Sequence, residues 1–579
     1  MKKNIIVIAV AAVIVLAAAG ILGRKFYRDY QEKHQPSTTV MPLAEHYDIS
    51  GEDVMIIIDE TVYGKKGLWR NDTVYLDLET VTSMYDHRFF WVESENTLFY
   101  STPDKIYKFF PAKNEYLLNR EAAVSDVPVV ETANGTVYIS INFLENCGIT
   151  CRVYDDPHRI LITYSEEEFL ATTAKEDTQI RVSQDIKADI LKEVAAGDKL
   201  RYIDGGGIRQ GGFIKVMSED GVRGYISEAA LEESGYEVPA FVGFEKPEYR
   251  HVMYPGKVYL GWQMLYTEDS LGYLNNAIAL APEMNVISPT WFYMNDTEGG
   301  FLSYANREYV DTAHSKGLQV WALYKNDTID GAFSCSEDSH KVLSSTTART
   351  ALIDNIMASV EEYDLDGINI DFEMLKVDTG VYFIQFLREL SVLCHKKGII
   401  LSVDNYVPEG YNAYYDLAEQ SEIIDYIIIM GYDEHYAGSS EAGSVSSLAW
   451  YEKAIENTCA KCDPERVIMG VPFYTRLWKE NGDSLTVEAT PGMAEAAAIV
   501  KKAGAGKDWK ESAGQYYAEW KNGGTYKIWL EDADSLRRKV LAAREKNMAG
   551  IAAWKLGDET EGIWAVIVDA MEGKIEEDQ

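Results

Sequence analysis

Between residues 256 and 575, short β-rich runs alternate with helical stretches so regularly that few folds remain open. The runs span 257–262, 285–290, 318–323, 367–373, 399–404, 426–432, 466–472 and 550–554. Stretches such as 382–397 and 448–459 read as helices between them. Strands separated by helices predict parallel pairing. Eight such units predict a closed (β/α)8 TIM barrel whose working residues sit at the C-terminal strand ends. Those ends carry Trp291, Glu373, Asp404, Tyr432, Asp433, Tyr474 and Trp554.

The fourth run, Asp366-Gly-Ile-Asn-Ile-Asp-Phe-Glu373, carries the chemistry. Side chains in a strand alternate between faces. Ile368, Ile370 and Phe372 therefore share one face, suited to packing under helices, and Asn369, Asp371 and Glu373 share the other. Two carboxyls and an amide at the end of an apolar strand are costly unless used. Desolvation and like-charge repulsion raise the pKa of one acid, and an acid protonated near neutrality can serve as a general acid. The bland alternative is a half-buried strand ending in solvated acids.

The octapeptide resembles the family 18 glycoside hydrolase signature Asp-Gly-x-Asp-x-Asp-x-Glu, matching at Asp366, Gly367, Asp371 and Glu373. It departs at Asn369, and this Asn form looks like the spore-cortex and cell-wall N-acetylglucosaminidase branch rather than the chitinases. Met430-Gly-Tyr-Asp433 is similar to the sixth-strand pattern of that family, Gly470-Val-Pro-Phe-Tyr474 to the seventh strand, and Gly550-Ile-Ala-Ala-Trp554 to the eighth. The segment Ile528-Trp-Leu-Glu-Asp-Ala-Asp-Ser535 looks like a late segment of the spore-cortex branch. The resemblance covers about residues 250 to 575.

By that resemblance catalysis is substrate-assisted, an exception to the two-carboxylate rule. The 2-acetamido oxygen attacks the anomeric carbon as Glu373 protonates the leaving oxygen. Asp371 orients the acetamide and stabilises an oxazolinium ion. Tyr432 holds the acetamide oxygen and Trp554 stacks on the sugar. Glu373 then deprotonates water, giving retention. Asn369, Met430, Asp433 and Tyr474 are expected around the substrate, with Asp366 and Gly367 structural. Asn369, a neutral amide, can donate a hydrogen bond to Asp371 and keep it ionised.

The rest of the 579 residues divides into smaller parts. Lys2 and Lys3 precede an uncharged run, Ile5 to Gly23, followed by Arg24, Lys25 and Arg28. As a helix the run is about 28 Å long, near the bilayer core of about 30 Å. Residues 1–25 are therefore expected to form a cytoplasmic tip and transmembrane signal anchor, and 26–48 a stalk. Ala17-Ala-Ala19 leaves a cleaved signal peptide, and so a secreted protein, as the rival reading. Asn71-Asp-Thr-Val-Tyr-Leu-Asp-Leu78 aligns with Asn134-Gly-Thr-Val-Tyr-Ile-Ser-Ile141, which predicts a duplicated α+β module over 49–168. It looks like the small domain named from the N-terminus of copper amine oxidases. Residues 176–235 give short strands with frequent turns and look like a bacterial SH3-like barrel. Residues 236–255, with Pro239, Pro247 and Pro255, read as a linker, and 256–575 as the barrel.

Net charge is −37, which argues against nucleic acid as a partner. A lone Cys459-Ala-Lys-Cys462 is not a zinc site, which wants four ligands. No cofactor or metal is expected. The expected protein is a membrane-held extracellular retaining glycosidase acting on β-1,4-linked N-acetylglucosamine, with peptidoglycan favoured and chitin or N-glycan cores open. The alternative is an inactive glycan-binding or wall-assembly protein on the same barrel. Glu373, which inactive relatives usually lose, separates the two.

Overall fold

The computed structural model describes residues 2–575 except 208, 242 and 329–330. It divides into two units, one mainly of residues up to 246 and the other mainly of residues 247–579.

In the second unit eight parallel strands close on themselves: β1 (Val258–Gln263), β2 (Val286–Met294), β3 (Gln319–Lys325), β4 (Gly367–Asp371), β5 (Ile400–Tyr406), β6 (Tyr426–Met430), β7 (Val467–Pro472) and β8 (Gly550–Trp554). β1 pairs with both β2 and β8, which closes the ring. All eight expected strands are present, as a TIM barrel requires. Several C-terminal ends differ from expectation. β4 stops at Asp371, short of Glu373, and β6 at Met430, short of Tyr432, while β2, β3 and β5 run on to Met294, Lys325 and Tyr406.

The alternation of side chains builds two apolar layers. Val258, Leu260, Trp262, Val286, Trp321, Leu323, Ile428 and Ile468 fill the barrel interior. Ile368, Ile370 and Phe372 point outward instead, and Phe372 stacks on Phe386 of the helix Gly380–Lys397 at 5.6 Å. Full burial of one such side chain stabilises by about 1.5–3 kcal/mol. Helix ends are marked locally. Ser345 caps Thr346–Tyr363, Ser447 caps Leu448–Cys459, and Gly398, at φ 71°, ends Gly380–Lys397.

Between β7 and β8 lies an inserted five-stranded antiparallel sheet, residues 477–530, backed by the helix Met493–Ala503. Its core is small: Leu477, Ala496, Val500, Ala518, Ile528 and Leu530. These strands were not expected, because their exposed face is rich in Lys, Glu and Tyr and dilutes the apolar signal.

In the first unit the helix Lys2–His34 is apolar and long enough to cross a membrane, and none of its residues is buried. It runs past the apolar stretch to His34, so much of the expected stalk is helical. Residues 37–41 then run beside strand Ile190–Val194, with Met41 N donating to Ile190 O at 2.9 Å.

The internal repeat has a structural counterpart. Thr73–Asp77 and Thr136–Ser140 pair antiparallel, with Ile139 opposite Leu76. Each leads into a short helix, capped by the equivalent residues Asp77 and Ser140. Each helix is followed by two strands, Phe89–Val92 and Thr97–Ser101 in one half, Thr150–Asp155 and His158–Thr163 in the other. Residues 169–237 form an antiparallel sheet around Ile180, Leu191, Leu200, Ile214, Val216 and Ile226.

Candidate active site

The C-terminal ends of the barrel strands surround a cavity of about 720 Å³. Asp371, Glu373, Met430, Tyr432, Asp433, Tyr474 and Trp554 all line it. Asn369 lies one layer deeper and is fully buried. Asp366 and Gly367 sit at the opposite end of β4. There Asp366 Oδ2 accepts from Val320 N and lies 2.8 Å from His314 Nε2, tying β4 to β3 and its helix. A Cβ on Gly367 would meet the Trp321 ring at 2.6 Å, so only glycine lets the two strands close there.

Some expectations need correction. Trp291 lies within β2, not at its end, and is not in the site. The β2–β3 register shifts between Thr290 and Phe292, and Trp291 turns into the outer core against Tyr309 at 4.8 Å. Asn369 does not bond Asp371. Its Nδ2 donates to Asp404 Oδ1 at 2.8 Å, while its Oδ1 accepts from Trp262 Nε1 at 2.9 Å and Ser288 Oγ at 3.1 Å. The amide joins four strands and buttresses Asp404 instead.

Asp371 is therefore left without that donor. It is 5% exposed, and its Oδ1 has no partner. Burial, then the neighbouring Glu373 charge, push it up to about 7, against the pull of Lys325. Asp404 is buried beside it and raised well above the carboxylate range, first by burial and then by Asp371. The expectation of an Asp371 kept ionised by Asn369 thus gives way to a carboxyl raised toward neutrality by burial and by its acidic neighbour.

Glu373 owes its place to a residue that pattern reading missed. Asn326, just beyond β3, accepts from Glu373 N and donates to Glu373 O, both at 2.8 Å. Next in the chain, Met374 takes a positive φ of 53°, turning the backbone out of β4. Tyr406 from β5 faces the Glu373 carboxylate, and burial with that charge raises its hydroxyl.

On the other wall, the Tyr432 ring is half-buried, but its hydroxyl is raised well above the phenol range by burial and then by Asp404. Gly431 before it is obligatory, since a Cβ would meet Gly470 O at 2.5 Å. Asp433 is held by Tyr474 Oη at 2.5 Å and Arg476 at 2.8 Å. Trp554 packs edge-on to Trp262 at 6.1 Å, leaving its ring half-open to the cavity. Buried carboxyls, tyrosine hydroxyls and an open indole in one cleft suit a neutral polyhydroxylated ligand with a bond to protonate.

Residues 329–559 match the family model described as glycosyl hydrolases family 18. Over 319 residues the chain is 25% identical to the uncharacterized glycosylase YvbX of Bacillus subtilis (strain 168), spanning 53% of this chain and 90% of that protein. Over 241 residues it is 26% identical to the cortical fragment-lytic enzyme of the same organism, spanning 39% of this chain and about half, 55%, of that relative. The crystal structure of the Bacillus cereus spore cortex-lytic enzyme SleL superposes with a TM-score of 0.49 at 20% identity, over 58% of this chain and 78% of that one. Over residues 329–559 the barrel is thus similar to family 18 glycosyl hydrolases, and the chain is a glycoside hydrolase.

Proposed function

We propose that the chain is a retaining N-acetylglucosaminidase that cleaves β-1,4-linked glycans by substrate-assisted catalysis, with peptidoglycan as its substrate. The observation that carries this reading is the pair at the end of β4: Glu373 clamped at the cavity wall, and a buried Asp371 whose Oδ1 is unpartnered. An orphaned buried carboxylate oxygen is expensive, and a substrate acetamide N–H would satisfy it.

Glu373 protonates the leaving oxygen while the acetamide oxygen attacks the anomeric carbon. Ionised Asp371 holds the acetamide N–H and stabilises the oxazolinium charge. The Tyr432 hydroxyl donates to the acetamide oxygen, and Trp554 supports the apolar face of the ring. Glu373 then takes a proton from water, which attacks from the face the leaving group left. The anomeric configuration is retained.

The substrate choice is supported by the Asn369 form of the motif and by the relative whose name specifies cortical fragments. The apolar helix Lys2–His34 suits a membrane anchor that keeps the barrel outside the cell. If that segment is cleaved, the enzyme is secreted. The copper-amine-oxidase-N-like and SH3-like modules would then hold the enzyme to the wall. Release of reducing ends from peptidoglycan, chitin oligomers and a glycoprotein tests the substrate, and the anomeric form of the first product tests the mechanism. Inversion, or ready hydrolysis of a plain glucoside, would overturn it.

A further inference from the structure

Pairing of β3 with β4 sets Lys325 directly beside Asp371 in register. Lys325 Nζ lies 3.9 Å from Asp371 Oδ2 and 3.5 Å from Asp327 Oδ2. Its side chain is 18% exposed and lines the cavity. A lysine so enclosed has left most of its hydration, and it stays charged only because anions face it. Burial alone would lower it, but Asp371, Asp327 and Glu373 together hold it above the usual lysine range.

One ammonium thus answers a crowd of carboxyls. Asp371 comes from β4, Glu373 follows it, Asp327 follows β3, and Asp404 from β5 is buried within reach of the Asp371 charge. Tyr293 from β2, Cys335, Tyr406, Tyr415 and Tyr432 complete the titratable surroundings. All of these others are anionic or neutral, so Lys325 is the sole cation among the named groups. Asn369, which could have lent Asp371 a hydrogen bond, is engaged with Asp404.

We propose that Lys325 is a positioning residue for the reaction: its ammonium is the counter-ion that lets Asp371 ionise at neutral pH, and so it sets the acid edge of the enzyme's working range. This rests on the reading of Asp371 as the group that faces the oxazolinium charge. Lys325 itself touches neither the leaving oxygen nor the acetamide in that reading; it acts through Asp371.

The test uses the full-length protein in detergent, as wild type, Lys325→Met, Lys325→Arg, Asp327→Asn and Glu373→Gln. Turnover of 4-nitrophenyl diacetylchitobioside and affinity for N-acetylglucosamine-thiazoline are followed against pH. Removing an opposite charge at this range moves a pKa by about 1–3 units. In Lys325→Met the acid limb of both profiles should rise by about one pH unit or more, and turnover near neutrality should fall about tenfold. Lys325→Arg should keep the limb close to wild type. Asp327→Asn, on a half-exposed side chain, removes a competing anion and should move the limb toward acid even if Lys325→Met fails to fold. A wild-type limb in Lys325→Met, or an unmoved or alkaline-shifted limb in Asp327→Asn, would overturn the proposal whatever the melting temperatures do. Wild-type turnover in Glu373→Gln would instead overturn the reading of the site.

Discussion

Glu373 depends on a neighbour for its aim and on its own carboxyl for its chemistry. Glu373→Gln keeps the shape and the Asn326 clamp but removes the proton donor of the proposed mechanism. Turnover should fall by at least about 100-fold, while oligosaccharide binding, measured by calorimetry, survives because Trp554 and Tyr432 are untouched. Asn369→Asp is informative for a different reason. The added carboxyl would stand where Asn369 Nδ2 is now, 2.8 Å from Asp404. A further acid among Asp371, Asp404 and Glu373 pushes the group's protons up, not down. Asp371 already sits at about 7, so it is protonated below neutrality and ionised above. If ionised Asp371 is required, activity falls as pH drops through that value, and in Asn369→Asp the acid limb of the pH–rate profile should move to higher pH. A limb that stays put or moves to lower pH would show that position 369 is electrically separate from Asp371.

At the scale of elements, the segment Ile528–Ser535 joins the inserted sheet to the helix Ala533–Glu545. Glu531 and Lys539 form an ion pair with both side chains 1% exposed. Glu531 also accepts from Gln515 Nε2 of the inserted sheet and from Ser535 Oγ. Asp532 caps the helix through Asp534 N and Ser535 N. The likeness of this segment to the spore-cortex branch therefore marks a structural joint rather than a substrate contact. Lys539→Met leaves Glu531 buried and uncompensated, and should cost about 3–5 kcal/mol. Urea unfolding should show that loss, and the double variant with Glu531→Leu should recover part of it.

At the scale of the molecule, the barrel owns its core. Its interior and outer layers are drawn from residues after 247 almost entirely. The start of that unit is fastened to the barrel floor: Val252 N donates to Asp425 Oδ1 at 2.7 Å, and Tyr254 N to Tyr426 Oη at 2.9 Å. Residues 245–579 alone should therefore fold and cleave small soluble substrates at the rate of the whole chain. Activity on insoluble wall should drop if the upstream modules bind it. A fragment that aggregates, or is inert on substrates the full chain cleaves, would refute an independent barrel.

Much of this protein was legible in its sequence, for reasons of periodicity. Eight apolar strands in a parallel barrel are buried on both faces and stand out as runs. The β4 motif declares its own two faces, since Ile368, Ile370 and Phe372 can only be core beside Asn369, Asp371 and Glu373. The inserted sheet stayed hidden because one of its faces is polar. What only the tertiary structure decided is which neighbours the polar residues meet. No spacing along the chain places Asn326 on the Glu373 backbone, Lys325 beside Asp371, or Asn369 against Asp404. Nor could it turn Trp291 away from the cleft, a matter of a register shift between two strands. Alternation along a strand is local and can be read; contact across strands depends on barrel register, which joins residues far apart in sequence.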